Sequence, residues 1–211
     1  MNMRTLPAAF LLLVGVAGRL QAQDFEGAIT IRMTPRQGAA AQEMEYLSRG
    51  GNVRLNVSAP TGSMAVLGLK SEGKTYMLMD AQRMYMEMPS DVADATLAKV
   101  DEAKITKTGK KETIAGESCE HVIIESNSDK GPQKTDVCMA YALGPFVFPG
   151  MTRNVAPWQR QLMKEGGFPL RVTLADGTIA IEVTKIEKKR VNDTLFRIPA
   201  EYSKMDMPRR P

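Results

Sequence analysis

Three residues near the middle of the chain carry most of its latent chemistry: Cys119, His121 and Cys138. Two thiols can close a disulfide, hold a metal as thiolates or exchange electrons with another dithiol, and an imidazole can act as a base or a ligand. Redox pairs favour a Cys-x-x-Cys spacing, and zinc sites gather further Cys or His ligands nearby. This chain has neither pattern, and His121 is its 1 histidine. The cysteines therefore read as a structural staple, Cys119 to Cys138. Closing a loop of about 20 residues stabilises by about 3 kcal/mol on the loop-entropy argument. One histidine excludes multi-His metal sites, and nothing in its setting supplies a nucleophile or an orienting acid. No metal site and no cofactor are expected.

Other catalytic signatures are missing. No phosphate-binding glycine loop, dinucleotide fingerprint or nucleophile elbow occurs. Glu43, Glu45 and Glu87 alternate out of apolar strands and read as solvated faces. The sole tryptophan, Trp158, stands at the start of a predicted helix, where packing is the usual role. No catalytic residue is assigned, and the expectation is a protein that is not an enzyme.

The first residues form an address. Arg4 provides a positive start, the run from Leu6 to Val16 is apolar but too short to span a bilayer, and Leu20-Gln21-Ala22 offers a cleavage site, with Ala17 as an alternative. Residues 1–22 are thus expected to be a signal peptide, and no cysteine follows to take a lipid anchor. Export to the periplasm or beyond suits a persistent disulfide. The formal charge of +4 falls by two when Arg4 and Arg19 leave with the leader. With no basic stripe interleaved with aromatics, nucleic-acid binding is not expected. No later apolar stretch reaches membrane length, so the mature chain is expected to lack a transmembrane segment. Residues 23–203 are expected to make one domain, and 204–211, with Lys204, Arg209 and Arg210, a flexible basic tail.

Short turns between alternating segments set the strand register. Around Asp176-Gly177, Leu174 should face Ile179, Val172 should face Ile181 and Leu170 should face Val183, with Arg171 against Glu182. Around Gly50-Gly51, Tyr46 should face Leu55, Met44 Val57 and Glu45 Asn56. Around Glu72-Gly73, Leu69 should face Tyr76, Leu67 Leu78, Val66 Met79 and Gly68 Met77. A turn at Ala81-Gln82 pairs Met79 with Met84 and Met77 with Met86. With a first strand on Phe25, Ile29, Ile31 and Met33, residues 24–88 read as a six-stranded meander. A further hairpin, 117–126 with 133–139, carries one cysteine on each arm. Short helices are predicted from Ser90 to Val100 and from Pro157 to Glu165. The fold class is mainly β, with one antiparallel sheet and two short helices.

Strands four to six break the usual rule of one oily and one wet face. One side carries Met64, Val66, Met77, Met79, Met84, Met86 and Met88, and the other Leu67, Leu69, Tyr76, Leu78 and Tyr85. Methionine is flexible and polarizable and adapts to irregular apolar shapes. Its side of the sheet is either core with an unusual composition or the seat of a ligand or partner. Thioethers also select Cu(I), but regular strand alternation with no histidine beside it sets copper aside.

Several segments then resemble the exported bacterial domain-of-unknown-function 4412 family. They are Phe25-Glu26-Gly27, Lys107-Thr108-Gly109-Lys110-Lys111 leading into Ile114-Ala115-Gly116 and Cys119, and Thr194-Leu195-Phe196-Arg197-Ile198-Pro199 followed by Tyr202. Glu117 and Cys138 stand where that family often has aromatic residues, so the disulfide is a feature of this member. The resemblance implies a fold similar to the periplasmic lipoprotein carriers: a curved, unclosed antiparallel half-barrel around short helices, holding acyl chains between them. It brings no catalytic residues. The expected function is a non-catalytic periplasmic binding protein sheltering a lipid or acyl chain against the methionine side. The alternative is an envelope protein–protein or stress-sensing module that uses the same patch.

Overall fold

The computed structural model describes residues 25–34, 40–59, 62–88, 103–128, 131–146 and 166–206. The expected signal peptide, both predicted helices, Trp158 and residues 207–211 lie outside them. Among the described residues are twelve strands: β1 (Gly27–Met33), β2 (Gln42–Arg49), β3 (Asn52–Ala59), β4 (Gly62–Leu69), β5 (Lys74–Met79), β6 (Met84–Met88), β7 (Lys104–Ile114), β8 (Glu117–Ser128), β9 (Gly131–Ala140), β10 (Phe168–Thr173), β11 (Ile179–Lys188) and β12 (Ser203–Lys204). All twelve join one unclosed sheet in the order β12-β6-β5-β4-β3-β2-β1-β11-β10-β9-β8-β7. Every pairing is antiparallel except β12 against β6. The six-stranded meander is present as β1 to β6, in sequence order.

Turn chemistry explains the register. Gly50 and Gly51 have φ of 58° and 80°, the left-handed values that a two-residue hairpin needs and that glycine adopts without strain. The pairs Tyr46–Leu55, Met44–Val57 and Glu45–Asn56 follow as expected. The Glu72-Gly73 turn departs from expectation: the loop runs over four residues, 70–73, closed by the Gly73 amide donating to the Leu69 carbonyl at 2.9 Å. Leu69 therefore meets Lys74, Leu67 meets Tyr76 and Val66 meets Met77. That slip is two residues, so every side chain keeps its face. At the next turn Met79 pairs with Met84 and Met77 with Met86, as expected.

The β10–β11 hairpin keeps Arg171 opposite Glu182 and Val172 opposite Ile181, but a bulge brings Thr173, not Leu174, opposite Ile179. The extra residue arises because Leu174 is drawn into the turn, exchanging backbone hydrogen bonds with Thr178 and Gly177. A second bulge, between Pro169 and Arg171, lies against β9.

One side of β1–β3 is the main core, where Ile29, Ile31, Met44, Tyr46, Val53 and Leu55 pack with Cys119, Cys138, Phe168, Leu170 and Val183. On the reverse, Ala28, Leu47, Ala65, Leu67, Tyr76 and Leu78 are buried against Val191 and Phe196, with Ile198 and Tyr202 alongside. After β11 the chain thus returns across the Leu/Tyr side to reach the far edge of the sheet. Arg49 fixes its start by hydrogen bonding the Val191 carbonyl and pairing with Asp193 at 3.0 Å. Tyr202 fixes its end through a 2.8 Å bond to Asp80. Lys204, expected to open a flexible tail, is instead paired: Ser203 and Lys204 form β12 and the Met205 amide donates to the Tyr85 carbonyl at 2.7 Å.

Candidate functional site

The methionine side is the outward continuation of the main core. Strand pairing builds one row from Ile29 through Tyr46, Leu55, Val66 and Met77 to Met86. Another runs from Ile31 through Met44, Val57, Met64 and Met79 to Met84, and Met88 lies beside Thr75 on the same side. Burial falls along both rows. Ile29 is 0% exposed and Leu55 1%, whereas Val66, Met77, Met79, Met84, Met86 and Met88 are half-buried and Met64 is 39% exposed. The seven predicted contact residues are thereby brought onto one surface. On the reverse of the same strands Leu67 and Leu78 are 0% exposed, so among the described residues the Leu/Tyr side is the more completely buried of the two.

A second constellation was legible in the sequence only in its Arg171–Glu182 pair. His121, buried, stands opposite Cys138 in the β8–β9 ladder, with Asp136 two residues along β9. Its Nδ1 lies 2.8 Å from Asp136 Oδ1 and its Nε2 3.3 Å from Glu112 Oε2. Glu112 Oε1 accepts a 2.7 Å hydrogen bond from Arg171, whose Nη2 also pairs with Glu182 at 3.0 Å. Two carboxylates, an imidazole, a guanidinium and a third carboxylate are thus chained across β9, β8, β7, β10 and β11. The Arg171 guanidinium holds the Glu112 carboxyl below its ordinary range, against the opposing effect of burial, and Glu112 in turn raises Arg171.

The local backbone explains how β7 reaches this cluster. Between Lys107 and Lys111 the β7–β8 register shifts. Gly109 takes a φ of 73° there, which glycine tolerates and most residues do not. Thr108 Oγ1 closes the bulge by donating to the His121 carbonyl at 2.8 Å and accepting from the Lys110 amide. Beyond it, Glu112 comes opposite Cys119. The cysteines are joined as expected, but the expectation that no histidine ligand neighbours them is corrected. The Lys-Thr-Gly-Lys-Lys segment, singled out only for its resemblance, was the available signal for the bulge.

A mainly antiparallel β-sheet, open at both edges and stapled by one disulfide, is the class of fold these observations define. The family described as a domain of unknown function (DUF4412) matches residues 25–202, and the chain belongs to that family. Among solved structures it is similar to an uncharacterized conserved protein from Thermus thermophilus, with 8% identity, a TM-score of 0.50, and coverage of 87% of this chain and 91% of that one. At such identity the likeness shows the fold alone. No curated protein matches the chain.

Proposed function

We propose that the protein is an exported, non-catalytic binding protein that shelters an apolar ligand, a lipid or acyl chain, against the methionine side of β4–β6. The observation that carries this reading is the fall in burial along two continuous apolar rows, from a sealed core at Ile29 and Leu55 to half-buried Met77, Met79, Met84 and Met86. Unbranched thioether side chains can repack around ligands of varying shape. Such a half-buried apolar surface is costly to leave in water and gains free energy when a hydrocarbon chain covers it. The signal-like leader and the disulfide support a location in the envelope, where lipids are the abundant apolar ligands.

The test is native mass spectrometry with organic extraction on protein purified gently from its own envelope. A reproducible bound mass that extracts as lipid, lost in Met79→Ser/Met86→Ser while the circular dichroism is retained, supports the reading. Unfolding of that variant would make the methionines ordinary core, and a stable protein partner with no extractable lipid would replace the reading with an interaction module.

A further inference from the structure

We propose that reduction of the Cys119–Cys138 bridge converts the middle of β7–β9 into a Zn²⁺ site, with the two thiolates, His121 and Glu112 as its four ligands. Cys138 Sγ, a ring nitrogen of His121 and a carboxylate oxygen of Glu112 already lie within 4.8 Å of one another. Cys119 is bonded to Cys138 and stands directly opposite Glu112 in the ladder. Tetrahedral zinc, with bonds of about 2.0–2.3 Å to N, O and S, places its ligand atoms roughly 3.3–3.8 Å apart. Side-chain rotation alone can therefore gather this set.

The supporting shell is the second, independent observation. Asp136 holds His121 Nδ1 at 2.8 Å, which leaves Nε2 directed at Glu112. A carboxylate behind a histidine fixes its tautomer and the orientation of its ring. Arg171 occupies Glu112 Oε1 and leaves Oε2 turned to the histidine. The sulfurs and the imidazole are buried, where negative thiolates require a compensating cation. A mixed S, N and O set of this kind selects Zn²⁺ over Mg²⁺ or Ca²⁺.

While the bridge is closed its sulfurs are not thiolates and the set is incomplete. A dithiol reductant supplies two electrons and two protons: the S–S bond breaks, two S–H bonds form and the dithiol becomes a disulfide. Zn²⁺ then displaces the two thiol protons to solvent as the Zn–S bonds form. Binding and oxidation are therefore mutually exclusive, and zinc would protect the pair from reoxidation.

The experiment uses the full chain, reduced with a phosphine that does not chelate metal, and titrated with Zn²⁺ against a chromophoric chelator and with Co²⁺ as a spectroscopic probe. One ion per chain is expected after reduction and none before it, with a sulfur-to-cobalt charge-transfer band and tetrahedral d–d bands. His121→Ala should abolish the tetrahedral spectrum, and Asp136→Asn should weaken binding about 10–100-fold through its support of the histidine. If reduction alone unfolds the chain, Zn²⁺ should restore its circular dichroism, because site formation and folding are linked. Absence of stoichiometric binding in a folded reduced chain, failure of Zn²⁺ to refold an unfolded one, or affinity indifferent to His121→Ala and Asp136→Asn would each overturn the proposal.

Discussion

Arg171 in β10 donates to Glu112 in β7 at 2.7 Å although β8 and β9 lie between their strands. Neighbouring strands are about 4.8 Å apart, so the two side chains reach toward each other over roughly 14 Å of sheet. Because the Glu112 carboxyl sits below its ordinary value of 4.5, protonating it costs more in the folded chain than in the unfolded one. Its stabilisation is present above that value and is lost as pH falls below it. Glu112→Gln should cost about 1 kcal/mol near neutral pH, an amount reduced by solvent screening of a partly exposed pair. The difference from the parent should shrink as pH drops from 4.5 downwards. Urea midpoints measured across that range check it, and a difference independent of pH would assign the cost to packing instead.

The disulfide spans a sequence separation of 19. Cys119→Ala/Cys138→Ala should lose about 3 kcal/mol, or roughly 6–12 °C in Tm for a chain of this size. Thermal melts in metal-free buffer provide the measurement. An unchanged Tm would mean that the denatured chain retains this hairpin.

The two sides of β5 should answer differently to mutation. Leu78 is 0% exposed beneath the returning C-terminal segment, so Leu78→Ala should cost about 2–5 kcal/mol. Met79, its half-buried neighbour on the other side, should cost less than about 1.5 kcal/mol on change to Ser, because a smaller area returns to water. Phe196→Ala should resemble the leucine and bind a hydrophobic dye, since it uncovers Leu67 and Leu78. Equal losses at Leu78 and Met79 would remove the distinction on which the ligand seat rests.

Tyr76 should titrate late. Burial first, and then its 2.8 Å hydrogen bond to Glu72, push its hydroxyl up to about 12. The raised value means that its stabilisation is intact below pH 10 and fades as pH rises toward 12. Tyr202 is also raised, by its hydrogen bond to Asp80, so ultraviolet titration of tyrosinate should show late groups of which one moves earlier in Glu72→Gln; a late region unchanged by that variant would show that the Glu72 bond does not hold the Tyr76 hydroxyl.

Much of the sheet was legible because a glycine turn dictates local register and alternation then dictates faces. Tyr46 opposite Leu55 and Met77 opposite Met86 follow from residues within a few positions of a turn. The Glu72-Gly73 slip kept the faces because both registers share parity, whereas the bulge at Thr173 depends on how Leu174 bonds within the turn, which alternation does not reveal. The staple was legible from spacing. Of the His121 cluster only the Arg171–Glu182 pair was legible, since Glu112 arrives through a bulge that has no periodic signature.

By itself the sequence determined much of the short-range content of this protein: the strands of the β1 to β6 meander, the two later hairpins, and that the methionines share one side. These are consequences of chain stereochemistry and period-two alternation, which act over a handful of residues. Only the tertiary structure decided which oily side is the more completely buried, because the cover of Val191, Phe196 and Tyr202 comes from more than a hundred residues downstream. It also decided that the lone histidine lies among two carboxylates and a disulfide. That neighbourhood lies on three consecutive strands, β7 to β9, and the register shift between Lys107 and Lys111, not local alternation, sets which of their side chains meet.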